Sequence, residues 1–241
     1  MNTKVIMRAD DITGERIKRL GAWFERHHPS IPCSAFAFKT DEEWPQEFWG
    51  LTRDLITEHQ WEIGGHSVTH PMLSTLSESE IREEIKTNKR DIEDGLSSVG
   101  CDYSVESFAY PTGAYDDRVI SVLKEEGFEY GLTYPDGFPY QSAKTIPSGE
   151  DRYRWGITHN AFLGLEEWND RFDRVHNTDS TNVYVLCFHP QWWWDTSNEP
   201  ESIRMDLKTG WATEKWDELD DHLRYIETKD NVDFTTFRDC S

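Results

Sequence analysis

Residues 4–28 read KVIMRADDITGERIKRLGAWFERHH, and their reading decides the fold. Lys4–Arg8 is a short apolar, β-rich run. It ends in two adjacent carboxylates, Asp10 and Asp11. The residues that follow place Ile17, Leu20, Trp23 and Phe24 on one face of an amphipathic helix. Working outward, the same alternation continues. Further β-rich runs lie at Cys33–Phe38, Glu62–Gly65, Ser107–Tyr110, Tyr130–Tyr134 and Val183–Phe188, with VDFTTF (232–237) near the end. Between them are helical patterns at Asp41–His59, at 77–96, and at 116–128. The second opens with Ser77 and Glu80 spaced as a capping box, and the third is stopped by Gly127. Strands alternating with helices predict a parallel sheet, open or closed into a barrel. Beyond about Ser142 the pattern is weaker.

Composition narrows the function classes. A chain of 241 residues suits one large domain, 1–241. Forty-six acidic against twenty-five basic residues give a formal charge of −21, which argues against nucleic acid or an anionic membrane as partner. The acids are spread along the chain and aromatics make up 13%, so disorder is not indicated. Such a surface fits a protein working at high salt, where screening removes self-repulsion. No run approaches the ~20 apolar residues that membrane insertion needs. The start, MNTKVIMRADD, lacks a signal core, which predicts a cytoplasmic location. Cys33, Cys101, Cys187 and Cys240 are widely spaced, with no CxxC, and read as free thiols.

Polar motifs stand at the ends of four β-rich runs. KVIMRA is followed by Asp10 and Asp11, WEIGG by His66 and His70, SFAY by Pro111, Thr112 and Gly113, and VYVLCF by His189. In α/β folds the carboxyl ends of the strands converge on one mouth. The i, i+4 spacing of His66 and His70, on a helical turn, puts both imidazoles within reach of one ion. By itself such a pair more often binds nothing. Adjacent side chains on a regular strand face opposite ways, but where the chain leaves the sheet both carboxylates can face the mouth. One carboxylate with two histidines is a three-ligand set that leaves a position open. The second carboxylate is then a spare base beside metal-bound water.

The order Asp-Asp, His-Ser-x-x-His (HSVTH), Pro-x-Gly (FAYPTG) and a strand ending in His resembles the polysaccharide deacetylase family, carbohydrate esterase family four with its NodB-like domain. The resemblance runs from Lys4 to Trp194, with VDFTTFRDC as its closing strand. It implies an α/β fold, a distorted (β/α) barrel of about seven strands, and a hydrolase that removes an acyl group, N-acetyl first, from a carbohydrate substrate. It also implies one divalent metal ion, zinc before cobalt, nickel or iron. Carried over by position, Asp11, His66 and His70 are the metal ligands, Asp10 the general base and His189 the general acid. The backbone N–H of Thr112 helps hold the oxyanion.

The chain departs from the family in three places. Arg8-Ala9 stands where many members have Thr-Phe, and Ala109 stands where many carry an arginine paired with the base. Arg8, Arg152 or Arg154 is left to supply that charge. No Asp-x-x-Asp-Trp motif is present to orient His189; Asp151 with Trp155 is a distant substitute. After His189, Pro190 turns the chain out of the sheet. At least one of Trp192, Trp193 and Trp194 is then expected to stack on a sugar ring while the others pack the barrel edge. Substrate contacts are expected from Arg8, Tyr110, Pro111, Arg154, Trp192 and Trp193. His27, His28, His59, His159, His176 and His222 read as structural. The alternatives kept open are a hydrolase of a formyl or non-sugar amide with the same metal apparatus, and an inactive sugar-binding relative.

Overall fold

Ten residues of extended chain, Thr3–Ile12 (β1), run through the middle of the sheet in the computed structural model, which describes residues 2–38, 44–134, 145–161, 163–178, 182–194 and 213–240. Helix α1 (Gly14–His27) returns the chain to β2 (Ser34–Ala37), and α2 (Gln46–His59) to β3 (Glu62–Gly65). Helix α3 (Glu78–Ser98) leads to β4 (Ser107–Ala109), and α4 (Asp117–Glu125) to β5 (Tyr130–Leu132). Then come β6 (His159–Asn160), α5 (Leu165–His176), β7 (Asn182–Phe188), α6 (Lys215–Glu227) and β8 (Val232–Thr235).

The strands pair in the order β5-β4-β3-β2-β1-β7-β6, all parallel. Strand β8 takes the first half of one β1 edge, opposite Thr3–Ile6, and β2 takes the second half from Arg8 onward. Residues 155–161 join the two ends of this path. Trp155 N–H donates to Gly131 O at 3.0 Å on the β5 side, while Thr158 and Ala161 donate to Val185 and Cys187 of β7 at 2.9 Å each. The sheet is thereby a distorted barrel, as the resemblance implied.

Strand periodicity divides the core. Val5, Met7 and Ala9 face outward and pack with residues from the helices, among them Ile17, Ile92 and Leu219. The intervening Ile6 faces inward, in a second cluster built without helical residues from Phe36, Leu132, Trp155, Val185 and Phe237. Each such fully buried side chain contributes about 1.5–3 kcal/mol. Arg8 and Asp10 continue the inward row toward the mouth. At the opposite end, the buried Glu62 carboxylate accepts from Ser34 Oγ at 2.7 Å, Ser107 Oγ at 2.5 Å and Phe237 N–H at 3.0 Å, closing the floor.

The local signals behave as their chemistry requires. Ser77 and Glu80 form the capping box of α3, and Gly127 (φ +76) stops the chain after α4. Two elements differ from expectation. Strand β1 extends past Arg8 to Ile12, because Ile12 still pairs with Ala37. Helix α2 begins at Gln46 after Pro45, and residues 41–43 of the expected helix lie outside the described residues. Helices α5 and α6 are further elements beyond Ser142, where the sequence pattern is weaker.

Candidate active site

The two carboxylates reach one mouth through a β-bulge. Ala9 pairs with Ala35 and Ile12 with Ala37, so β1 uses one residue more than β2 over the same step. Asp11 takes up the difference with φ +59. Arg16, buried on α1, donates from Nη1 to Asp11 O at 2.7 Å and holds the bulge. The chain has therefore not left the sheet here; the bulge turns Asp11 while Asp10 keeps the inward face.

The histidines follow β3. Both glycines before His66 are required by close packing: a Cβ on Gly64 would meet the Phe36 ring at 2.3 Å, and one on Gly65 would meet Asn88 Oδ1 at 2.8 Å. His66–His70 is a loop rather than a helical turn, since Ser67 (φ +66) and His70 (φ +60) are left-handed. Glu84 of α3 shapes it, its Oε2 accepting from the N–H groups of Val68 and Thr69 at 2.8 Å each. His66 Nδ1–H donates to Ala109 O at 2.7 Å, which orients the ring with Nε2, the atom that would meet an ion, toward the mouth. Asn88 accepts from His66 N–H at 2.9 Å and donates to Ala37 O at 3.0 Å.

Asp11 Oδ1 lies 3.2 Å from His66 Nε2 and 3.1 Å from His70 Nε2. The ligand atoms of these three residues are all within 4.8 Å of one another, and among the described residues no fourth His, Cys, Asp or Glu joins them. Two imidazole nitrogens around one buried carboxylate oxygen are a donor set that fits a divalent cation with a vacant vertex. Burial pushes Asp11 up, but the hydrogen bonds from His66 and His70 and the nearby charges outweigh it and hold Asp11 well below the usual carboxylate range. Burial pulls His66 down, and the carboxylates of Asp11 and Asp10 more than offset this.

Arg8 supplies the charge beside the second carboxylate. It is wholly buried and forks onto Asp10, Nε to Oδ1 at 2.8 Å and Nη2 to Oδ2 at 2.7 Å. Against burial, which raises it, the charges of Arg8, His66 and His189 hold Asp10 below its ordinary value. Arg152 pairs instead with Glu129 at 2.9 Å, and Arg154, exposed, with Asp117 at 3.3 Å. Neither is brought to this centre.

His189 directly follows β7, its Nε2 3.8 Å from Asp11 Oδ2. Burial lowers its pKa more than Asp11 and Asp10 raise it. Its Nδ1 meets no hydrogen-bond partner among the described residues; its ring stacks instead on Trp192, centroids 3.9 Å apart and 17° between planes. Asp151 and Trp155 are not among its contacts: Asp151 is exposed, and Trp155 packs on Phe237 and Tyr130 inside the barrel. Trp192 is half-buried, whereas Trp193 is 2% exposed and stacks on Phe188, and Trp194 stacks on Trp216. Tyr110 is also buried, donating to Tyr153 O at 2.8 Å, and Pro111 is buried beside it. Thr112 stands exposed with φ +59. Four of the six non-glycine residues with positive φ among the described residues are Asp11, Ser67, His70 and Thr112, so backbone strain collects at this mouth.

Sequence reasoning missed three buried polar residues here. Asn88 stands in the apolar stripe Ile81, Ile85, Ile92 and Leu96 of α3. Arg16 stands beside Ile17 on α1. Gln191 donates from Nε2 to Asp11 Oδ2 at 2.6 Å. The signal for the first was a polar residue in an apolar helical stripe.

The family model for polysaccharide deacetylases matches residues 12–131. No curated protein matches the chain. Among solved structures, the chain is similar to a variant, with restored enzymatic activity, of a family 4 carbohydrate-esterase pseudoenzyme whose wild type is from Bacillus anthracis (16% identity, 98% of this chain, TM-score 0.59). The chain spans 66% of that protein's length. It is also similar to a family 4 carbohydrate esterase from Bacillus anthracis (15% identity, 98% of this chain and 81% of the other, TM-score 0.56). A 4-alpha-glucanotransferase from Thermococcus litoralis shares the fold over 98% of this chain and 40% of its own (14% identity, TM-score 0.62). At these identities the structures speak to fold alone. No described helix is long and apolar enough to cross a membrane.

Proposed function

We propose, from the premise that this chain belongs to the polysaccharide deacetylase family, that it is a metal-dependent hydrolase removing an acyl group, N-acetyl first, from a carbohydrate. The observation that carries this reading is the Asp11–His66–His70 cluster set beside the Arg8-paired carboxylate of Asp10. Asp11, His66 and His70 would hold the cation, with zinc the first choice for such a donor set. A cation there would supply Lewis acidity and a more acidic water at neutral pH. Asp10, held ionised by Arg8, takes the proton from the attacking water as its oxygen adds to the acyl carbon. The N–H of Thr112 donates to the carbonyl oxygen as charge builds on it. His189 delivers a proton to the leaving nitrogen as the C–N bond breaks, giving carboxylate and amine. Trp192, stacked on His189, offers its remaining surface to the sugar ring.

The test is acetate release from a panel of N- and O-acetylated sugars by zinc-loaded protein, with metal content measured in parallel. One bound metal with acetate release supports the reading; metal without turnover on any acyl sugar overturns it. A second reading, a sugar binder without turnover, is favoured by the unpartnered Nδ1 of His189 and its lowered pKa. Sugar binding by calorimetry without acetate release is the outcome it requires.

A further inference from the structure

Beside Asp11, His66 and His70, the structure carries a buried side-chain contact to Asp11 that neither the family match nor the sequence motifs assign. Gln191 is 1% exposed and sits in the short 3-10 turn Pro190–Trp192 that follows β7. The turn is fastened by Trp192 N–H to His189 O at 3.1 Å and Trp193 N–H to Pro190 O at 3.0 Å, which fixes the backbone from which the buried side chain projects. Its amide Nε2 donates to Asp11 Oδ2 at 2.6 Å. The other oxygen, Oδ1, is the one that faces both imidazoles. The two oxygens of Asp11 are thus divided between two tasks.

We propose that Gln191 is a positioning residue that fixes Asp11 as a one-oxygen ligand and ties the His189 turn to the metal centre. The proposal rests on the metal reading of Asp11, His66 and His70. A carboxylate left alone can rotate about its terminal torsion and offer both oxygens to a cation. The Gln191 amide occupies Oδ2, so that oxygen is not available as a second donor. An amide does this without bringing charge, so the full carboxylate charge stays with the cation, which a lysine or arginine in its place would neutralise. The contact joins residues 180 positions apart in the chain. Because His189 lies two residues before Gln191, the same bond sets how far the imidazole stands from the ligand set, 3.8 Å from Oδ2.

Zinc binding to metal-free protein, read by calorimetry, tests the proposal with Gln191→Met, which keeps length but donates nothing, and Gln191→Glu, which places a carboxylate against Oδ2. Partners of metal ligands of this kind change affinity by roughly 10–100-fold. Gln191→Met is expected to weaken zinc by about 10-fold or more with an unfolding midpoint close to wild type, and Gln191→Glu by more. Affinity within twofold of wild type in a folded Gln191→Met protein overturns the proposal. If the variants do not fold, zinc X-ray absorption on the wild type decides, since a carboxylate binding through both oxygens overturns it and one oxygen supports it. A wild type that takes up no zinc at all instead overturns the metal reading beneath it, so the two failures are told apart.

Discussion

Arg8 and Asp10, two residues apart on one strand, form a forked ion pair inside the barrel, with both contacts under 2.9 Å. The spacing makes this possible, since residues i and i+2 of a strand share a face. The pair is shielded from water, and Arg8 is further held by Thr133 O at 3.1 Å and the Phe36 ring. The positive charge beside Asp10 thus comes from β1 itself.

Removing one partner of such a pair strands the other. Arg8→Met is expected to destabilise the fold by about 3–5 kcal/mol, because Asp10 is left charged and buried. Arg8→Lys keeps the charge but loses the fork and should fall between. Urea unfolding midpoints measure both; an Arg8→Met protein as stable as wild type contradicts the pairing described here.

The neighbouring carboxylates should separate cleanly in function. Asp10→Asn is expected to keep one metal per chain and lose acetate release by about 100-fold or more. Asp11→Ala and His66→Ala should lose the metal itself. Metal content by mass spectrometry and turnover on the same preparations check this, and loss of metal in Asp10→Asn would reverse the assignment.

Stability should fall with acid through two buried histidines outside the Asp11–His66–His70 cluster. His159 Nε2 and His222 Nε2 both lie 2.6 Å from Tyr184 Oη, and burial pulls their pKa values down to about 4 and about 3. The unfolded chain protonates them near the ordinary value of about 6.5. Their contribution is therefore complete above that pH and is lost as the pH falls toward 4. Each gives a slope of up to roughly 1.4 kcal/mol per pH unit. Unfolding midpoints from pH 7.5 to 5 should drop, and less steeply in His222→Asn, where one of the two groups is gone; equal slopes refute the attribution.

The charge of −21 predicts a salt response. Raising the salt from dilute buffer to molar levels screens repulsion among exposed carboxylates, so the melting temperature should rise. A flat or falling melting temperature is the contrary result.

Much of the strand–helix alternation was legible because periodicity is local. Ile17, Leu20 and Phe24, or Ile81, Ile85, Ile92 and Leu96, announce a buried helix face without reference to any partner. Helices α5 and α6 carry the same signal in Trp168, Phe172 and Val175, and in Leu219, Leu223 and Ile226. Their place in the alternation is hard to see because β6, before α5, is only two residues long and shows no strand period. Trp193 and Trp194 illustrate the opposite difficulty: three tryptophans in a row do not reveal which of them the core takes.

What the sequence by itself determined is the strand–helix order and the set of polar residues at strand ends: Asp10, Asp11, His66, His70, Thr112 and His189. Those follow from side-chain periodicity and from motif order, both properties of neighbouring residues. Only the tertiary structure decided that a bulge turns Asp11 beside Asp10, that Arg8 rather than Arg152 or Arg154 pairs with Asp10, and that His66–His70 is a loop held by Glu84. It also decided that Gln191 meets Asp11 across 180 residues of chain. These contacts depend on how distant segments are brought together by closing the barrel, and no local pattern encodes that distance.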